Sequence, residues 1–212
     1  MTDPLRSFVN RLARRPSTDE VFNPYRRRHL RENLHAWLSA LSQEPDLPLL
    51  LVGEALGFRG GRLTGLPFSS ARLLTEPTHP FLVRLSPHLD IRDDESENTA
   101  TMVWDYLAAR GVTPLCWNAF PFHPHPPGNP AGNRAPRQAE IREGIAHLQH
   151  LMALFAPEQV VGVGRAGAEC ARRAFPQSDV ARVRHPSFGG KREFIAGMDE
   201  VLNSRTGAWA RK

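Results

Sequence analysis

Apolar residues along the chain follow two rhythms, and their alternation predicts the fold. Within residues 23–41, Leu30, Leu34, Trp37, Leu38 and Leu41 recur at three- and four-residue spacing, which predicts a helix with one buried face. Pro48-Leu49-Leu50-Leu51-Val52 follows, a continuous apolar run of strand length ended by Gly53. Such a run fits a strand covered on both faces in a parallel sheet. Helical spacing returns over 99–109 and stops at Gly111, a residue suited to a left-handed helix cap. Residues 113–117 predict a second strand. A helix is predicted over 137–155 on Ile141, Ile145, Leu148, Leu151 and Met152. A strand over 159–163, a helix over 165–175, a short strand over 180–183 and a last helix over 193–202 complete the pattern. Residues 118–136 form a proline-rich irregular stretch, of a length usually tied to function in a small domain.

Strands alternating with helices predict an α/β fold of three layers, α/β/α, around a four-stranded, mainly parallel sheet joined by right-handed crossovers. The 212 residues suit one domain, with a core over about 23–204 and residues 1–22 expected as a flexible N-terminal extension. Hydrophobic residues are 41% of the chain, enough for one sizeable core. The first fifteen residues hold Leu5, Phe8, Val9 and Leu12 but also four arginines. They lack the apolar run and cleavage site of a secretory signal, and no stretch of about 20 apolar residues exists to span a membrane. A cytoplasmic location, no membrane partner and a monomer are expected.

The formal net charge of +5 favours a polyanionic partner. The run Arg26-Arg27-Arg28 reads as a solvated face. Cys116 and Cys170 stand apart from any paired-cysteine motif, so cysteine alone supplies neither a structural zinc site nor a four-cysteine cluster. Both read as small buried hydrophobes. His123 and His125 form a His-x-His pair, with His79 and His88 elsewhere, but no acidic or cysteine partner stands at ligand spacing. Neither metal nor cofactor is expected.

In open parallel sheets ligands bind beyond the carboxyl ends of the strands. Four segments sit there: Gly53-Glu54-Ala55-Leu56-Gly57 leading to Gly65-Leu66-Pro67-Phe68, then Asn118-Ala119-Phe120-Pro121-Phe122-His123-Pro124, then Gly164-Arg165, then Arg184-His185-Pro186-Ser187-Phe188-Gly189-Gly190-Lys191. The glycine-rich turn has neither the dinucleotide-binding nor the P-loop spacing. Gly53-Glu54-Ala55-Leu56-Gly57, Gly65-Leu66-Pro67-Phe68, Trp117-Asn118 with Pro126-Pro127-Gly128-Asn129 and Asn133-Arg134, and His185-Pro186-Ser187 together resemble the uracil-DNA glycosylase superfamily. The resemblance runs in order from about residue 49 to 194. It is closest to the branch whose first motif reads Gly-Glu-Ala-Pro-Gly, although Leu56 replaces the proline and that branch's four iron–sulfur cysteines are missing.

The resemblance implies sheet order 2-1-3-4 and hydrolysis of the N-glycosidic bond of deoxyuridine in DNA, leaving an abasic site. Such an enzyme must extrude the base, stabilise it as a leaving anion and hold a water under the anomeric carbon. Gly53 and Ala55 would line the base site, and Phe68 would stack on the base or else sit in the core. Asn118 can offer both an acceptor and a donor, matching N3–H and O4 of uracil and rejecting cytosine, or it can simply cap a loop. His185 would donate to O2 as charge develops there, or serve structure alone. Glu54 would position the water, offset the oxocarbenium charge, or accept from loop amides. The family's catalytic aspartate would fall at Ala55. Ser187 would meet a DNA phosphate or cap its turn. Phe188 falls where the family drives an apolar wedge into the duplex, or it packs under its loop. Arg184, Lys191 and Arg192 would bind phosphate, with Arg59, Arg62 and Arg134 weaker candidates. A glycosylase for another lesion, such as hypoxanthine or an alkylated base, and a catalytically silent damaged-DNA binder remain open, with a nucleotide-phosphate hydrolase a poorer third.

Overall fold

The computed structural model describes residues 3–209. In chain order it runs α1 (Pro4–Arg14), β1 (Val21–Phe22), α2 (Arg28–Leu41), β2 (Leu49–Ala55), then three short helices α3 (Gly61–Thr64), α4 (Ala71–Thr75) and α5 (Pro80–Leu85). It continues through α6 (Asn98–Arg110), β3 (Leu115–Phe120), β4 (His123–Pro124), α7 (Gln138–Phe155), β5 (Gln159–Val163), α8 (Gly164–Ala174), β6 (Val180–Val183) and α9 (Lys191–Trp209). β3, β2, β5 and β6 form the four-stranded sheet in that order, every pair parallel. This is the order 2-1-3-4 that the resemblance implies. β1 and β4 make a separate antiparallel pair.

Apolar residues fill both faces of the central strand, where Leu49, Leu50, Leu51 and Val52 are all fully buried. α7 and α8 pack on the sheet and on each other, and α9 lies along β6. Trp37 of α2 and Trp104 of α6 meet edge to face with centroids 5.8 Å apart, and Phe81 of α5 adds a second edge contact to Trp37 at 5.4 Å. Cys116 and Cys170 are buried free thiols. Among the described residues no helix is long and apolar enough to cross a membrane.

Several boundaries differ from the sequence reading: the first strand runs past Gly53 to Ala55, the last helix spans Lys191–Trp209, and two further differences have a plain physical reason. The second strand does not stop at Trp117. It runs on to Phe120 because Asn118 and Phe120 pair with Gly53 and Ala55 of β2, so the candidate Asn118 lies on a strand. The helix expected from residue 23 begins at Arg28, after a 3₁₀ turn over Pro24–Arg26.

The N-terminal segment is not an extension outside the core. Asp3 accepts the Leu5 N–H at 2.9 Å and caps α1, with Pro4 in its first turn. Phe8, Val9 and Leu12 are fully buried. Phe8 packs on Trp117 of β3 at 5.6 Å and stacks on His150 of α7 at 5.2 Å. The Asn23 amide then donates to the carbonyls of Leu12 and Arg15 at 2.8 Å each, tying the helix end to the core. The spacing of residues 5, 8, 9 and 12 is that of one helix face, with the arginines on the other. Phe8→Ala is therefore expected to cost about 3 kcal/mol in urea unfolding. An unchanged unfolding midpoint would contradict the docking of α1.

Candidate active site

The parallel register of β2 and β3 sets Gly53 beside Asn118, and the site grows from that pair. A Cβ on Gly53 would stand 2.5 Å from Asn118 Oδ1 and 2.6 Å from Phe68 Cζ, so only glycine lets the amide and the ring converge there. Phe68 is held in the left-handed region at φ 49°. Its carbonyl accepts the Trp104 indole N–H at 2.8 Å, which fixes this strained turn to α6 and leaves the ring half-buried on the pocket wall. Gly53, Glu54, Ala55, Leu56, Gly57, Phe68, Glu97, Asn118 and His185 all line one cavity at the carboxyl ends of the strands. The cavity is small, about 50 Å³.

His185 is oriented by its own loop. Its Nδ1 accepts the Ser187 N–H at 3.3 Å and lies 2.7 Å from Ser187 Oγ. An Nδ1 that accepts leaves the ring proton on Nε2. Burial, and then the charge of Arg184, push the imidazole below its usual range, so at neutral pH the ring is uncharged. The result is a neutral, fixed N–H donor in the cavity wall. The Ser187 hydroxyl lies against His185.

Two carboxyls share the cavity. Burial raises Glu54, and Arg165 at the start of α8 partly offsets that rise. Burial pushes Glu97 further, up to about 7. The sequence reading missed Glu97. It sits in the acidic stretch Asp93-Asp94-Glu95-Ser96-Glu97, which by itself reads as solvated surface ahead of α6. The one available signal was its place directly before the helix, where Ser, Thr, Asp or Asn is preferred and Glu is not. It is the N-cap residue of α6, yet its side chain makes no capping bond.

Outside the cavity, Phe188 is 96% exposed with φ 51° and is followed by Gly189 at φ 77°. An exposed aromatic on a left-handed turn does not pack under its loop. Arg184, Lys191 and Arg192 flank it in the sequence, all exposed, and among the described residues none of the three has a carboxylate partner. The weaker candidates are engaged elsewhere. Arg134 forms a two-pronged pair with Glu140 at 2.7 Å, Arg59 lies 3.6 Å from Glu95, and Arg62 is sandwiched between the rings of Phe22 and Phe58. In the proline-rich loop, both ring nitrogens of His123 lie within hydrogen-bond distance of backbone carbonyls, those of Leu56 and Pro130. Asn133 accepts the Phe58 N–H at 2.8 Å, so this loop buttresses the glycine-rich turn.

A parallel α/β domain with a tight polar cavity at its strand ends, and an exposed aromatic among unpaired cations in the segment that follows its last strand, has the build of a DNA glycosylase. The family model described as "Uracil DNA glycosylase superfamily" matches residues 41–196, and the chain belongs to that superfamily. Among solved structures, wild-type SMUG2 of Pedobacter heparinus superposes with a TM-score of 0.66 at 14% identity, over 96% of this chain and 98% of that one. At that identity the likeness speaks for the fold. No curated protein gives a match.

The His185 arrangement has a direct spectroscopic consequence. Nitrogen-15 spectra at pH 7 are expected to show the Nε2–H tautomer, with the imidazolium forming only below pH 6.5. Replacing Ser187 by Ala should loosen the tautomer preference. A charged ring at pH 7 would contradict the assignment.

Proposed function

We propose that the protein hydrolyses the N-glycosidic bond of deoxyuridine in DNA, releasing uracil and leaving an abasic site. The observation that carries this reading is the convergence of the Asn118 amide and the neutral His185 donor on one cavity with Phe68. Phe188 enters the duplex as an apolar wedge and helps to extrude the base. Arg184 and Lys191 hold the flanking phosphates, which position the strand without reading it. The base stacks on Phe68. Asn118 accepts from N3–H and donates to O4, an arrangement that cytosine cannot satisfy at either atom.

Chemistry then requires one bond to break and one to form. The C1′–N1 bond breaks with its electron pair passing to the base, whose charge spreads onto O2. His185 Nε2–H donates to that oxygen most strongly when the charge has developed, so it stabilises the transition state more than the bound substrate. Glu54 holds the water that attacks C1′ and takes its proton. Ala55 is a neutral wall, so Glu54 supplies the negative charge facing the sugar.

The test is excision from oligonucleotides carrying one uracil, single-stranded and opposite guanine or adenine, followed by alkali. Asn118→Ala and His185→Ala are each expected to lower single-turnover excision by about 10²–10³-fold with the fold intact. Full activity in both variants would overturn the residue assignments. Excision of hypoxanthine or an alkylated base in preference to uracil would redirect the substrate, and salt-sensitive binding without any turnover would identify a silent binder.

A further inference from the structure

Glu97 has no part in the chemistry just described, yet it forms a wall of the same cavity. Its carboxyl is wrapped by the glycine-rich turn. A Cβ on Gly57 would stand 2.8 Å from Glu97 Oε1, and one on Gly60 would overlap Oε2. The turn thus leaves out two side chains where the carboxyl lies. Among the described residues that carboxyl makes no hydrogen bond and no ion pair. The charged and titratable groups around it are accounted for. Glu54 at the end of β2 faces Arg165 of α8, and His185 is engaged with Ser187. On the turn, Arg59 pairs with Glu95 while Arg62 is stacked between Phe22 and Phe58. An unpaired acid on the wall of so small a cavity is placed within reach of its occupant.

We propose that Glu97 contacts the extruded base as a neutral carboxylic acid and donates a hydrogen bond to it as it leaves. This rests on the glycosylase reading and adds a third contact to it. The base departs with the bonding pair and becomes an anion. A carboxylate pressed against it would repel that charge, whereas a protonated carboxyl stabilises it. Glu97 gives up no proton in the step; it only donates the bond. The surroundings favour this form, because burial acts on Glu97 with no cation to oppose it, and its carboxyl titrates at about 7. Glu54, with Arg165 nearby, ionises more readily. Two carboxyls in one cavity are thereby set for opposite roles, one charged toward the sugar and one neutral toward the base.

The experiment is the pH profile of single-turnover excision by the whole protein, Glu97→Gln and Glu97→Ala, from pH 5 to 9. The native rate should fall above pH 7, approaching about tenfold per pH unit. Glu97→Gln keeps a donor that cannot ionise, so it should lose that alkaline limb and outpace the native protein at pH 9. Glu97→Ala should also lose the limb and be at least about tenfold slower than native at pH 6. An alkaline limb that persists in Glu97→Gln overturns the proposal. So does a native rate that climbs to a plateau above pH 7 and loses that climb in Glu97→Gln, because Glu97 would then be a base. Melting temperature gives a readout independent of turnover. A carboxyl whose folded pKa is raised from 4.5 to about 7 favours the fold below pH 4.5 and loses that contribution as pH rises to about 7. Native stability should therefore fall relative to Glu97→Gln across that window, and a constant difference overturns the proposal. A native protein that excises no base at any pH defeats the glycosylase reading itself. Native excision with a profile indifferent to Glu97 defeats only this inference.

Discussion

The parallel pairing of β2 with β3 places Gly53 directly opposite Asn118, and the geometry of the cavity follows from that pairing. A strand with a single side-chain parity presents one set of residues to each face, so a slip of one residue would turn Asn118 away from the cavity. The register is held by apolar burial further back along the same strands, where Leu50, Leu51 and Val52 meet Leu115, Cys116 and Trp117. Core packing thus fixes the position of a polar amide at the strand end. The absent side chain at Gly53 then brings Asn118 and the Phe68 ring close together.

Around that pair the cavity disfavours charge, and this explains how it can serve a reaction that creates one. His185 is pushed toward its neutral form, and Glu54 and Glu97 toward theirs, all chiefly by burial. With His185 and Glu97 neutral, neither repels the anion that the proposed reaction forms on the departing base, while Glu54, whose rise Arg165 partly offsets, carries the charge toward the sugar. The site's fixed donors act in surroundings where a hydrogen bond to a charge is stronger than in water. Exposed cations, Arg184 and Lys191, lie on either side of His185 and Phe188 in the sequence, outside the cavity.

Much of this was legible in the sequence because the relevant signals were local. The apolar run 49–52 and the alternation of strands with helices were enough for the layers, and three of the four strand-end segments line the cavity, Gly164-Arg165 being the exception. Gly53, Glu54, Ala55, Phe68, Asn118 and His185 all meet there. What stayed hidden depends on distant contacts. Asn118 belongs to a strand because Gly53 lies beside it. α1 belongs to the core because Trp117 and His150 receive Phe8. Ser187 turned out to be a partner of His185, a contact that only loop geometry reveals. Glu97 was the hardest to see, since an acidic stretch looks like solvated surface until the Gly57–Gly60 turn closes over one of its members.

The most direct measurement is a crystal structure of the protein on a duplex carrying one 2′-fluoro-deoxyuridine, whose glycosidic bond resists cleavage. The uracil should be found out of the stack and against Phe68, with its N3–H and O4 on the Asn118 amide and O2 facing His185 Nε2. A uracil still paired in the helix, or one bound with Asn118 and His185 turned away from it, would contradict the reading of this cavity as the site of base excision.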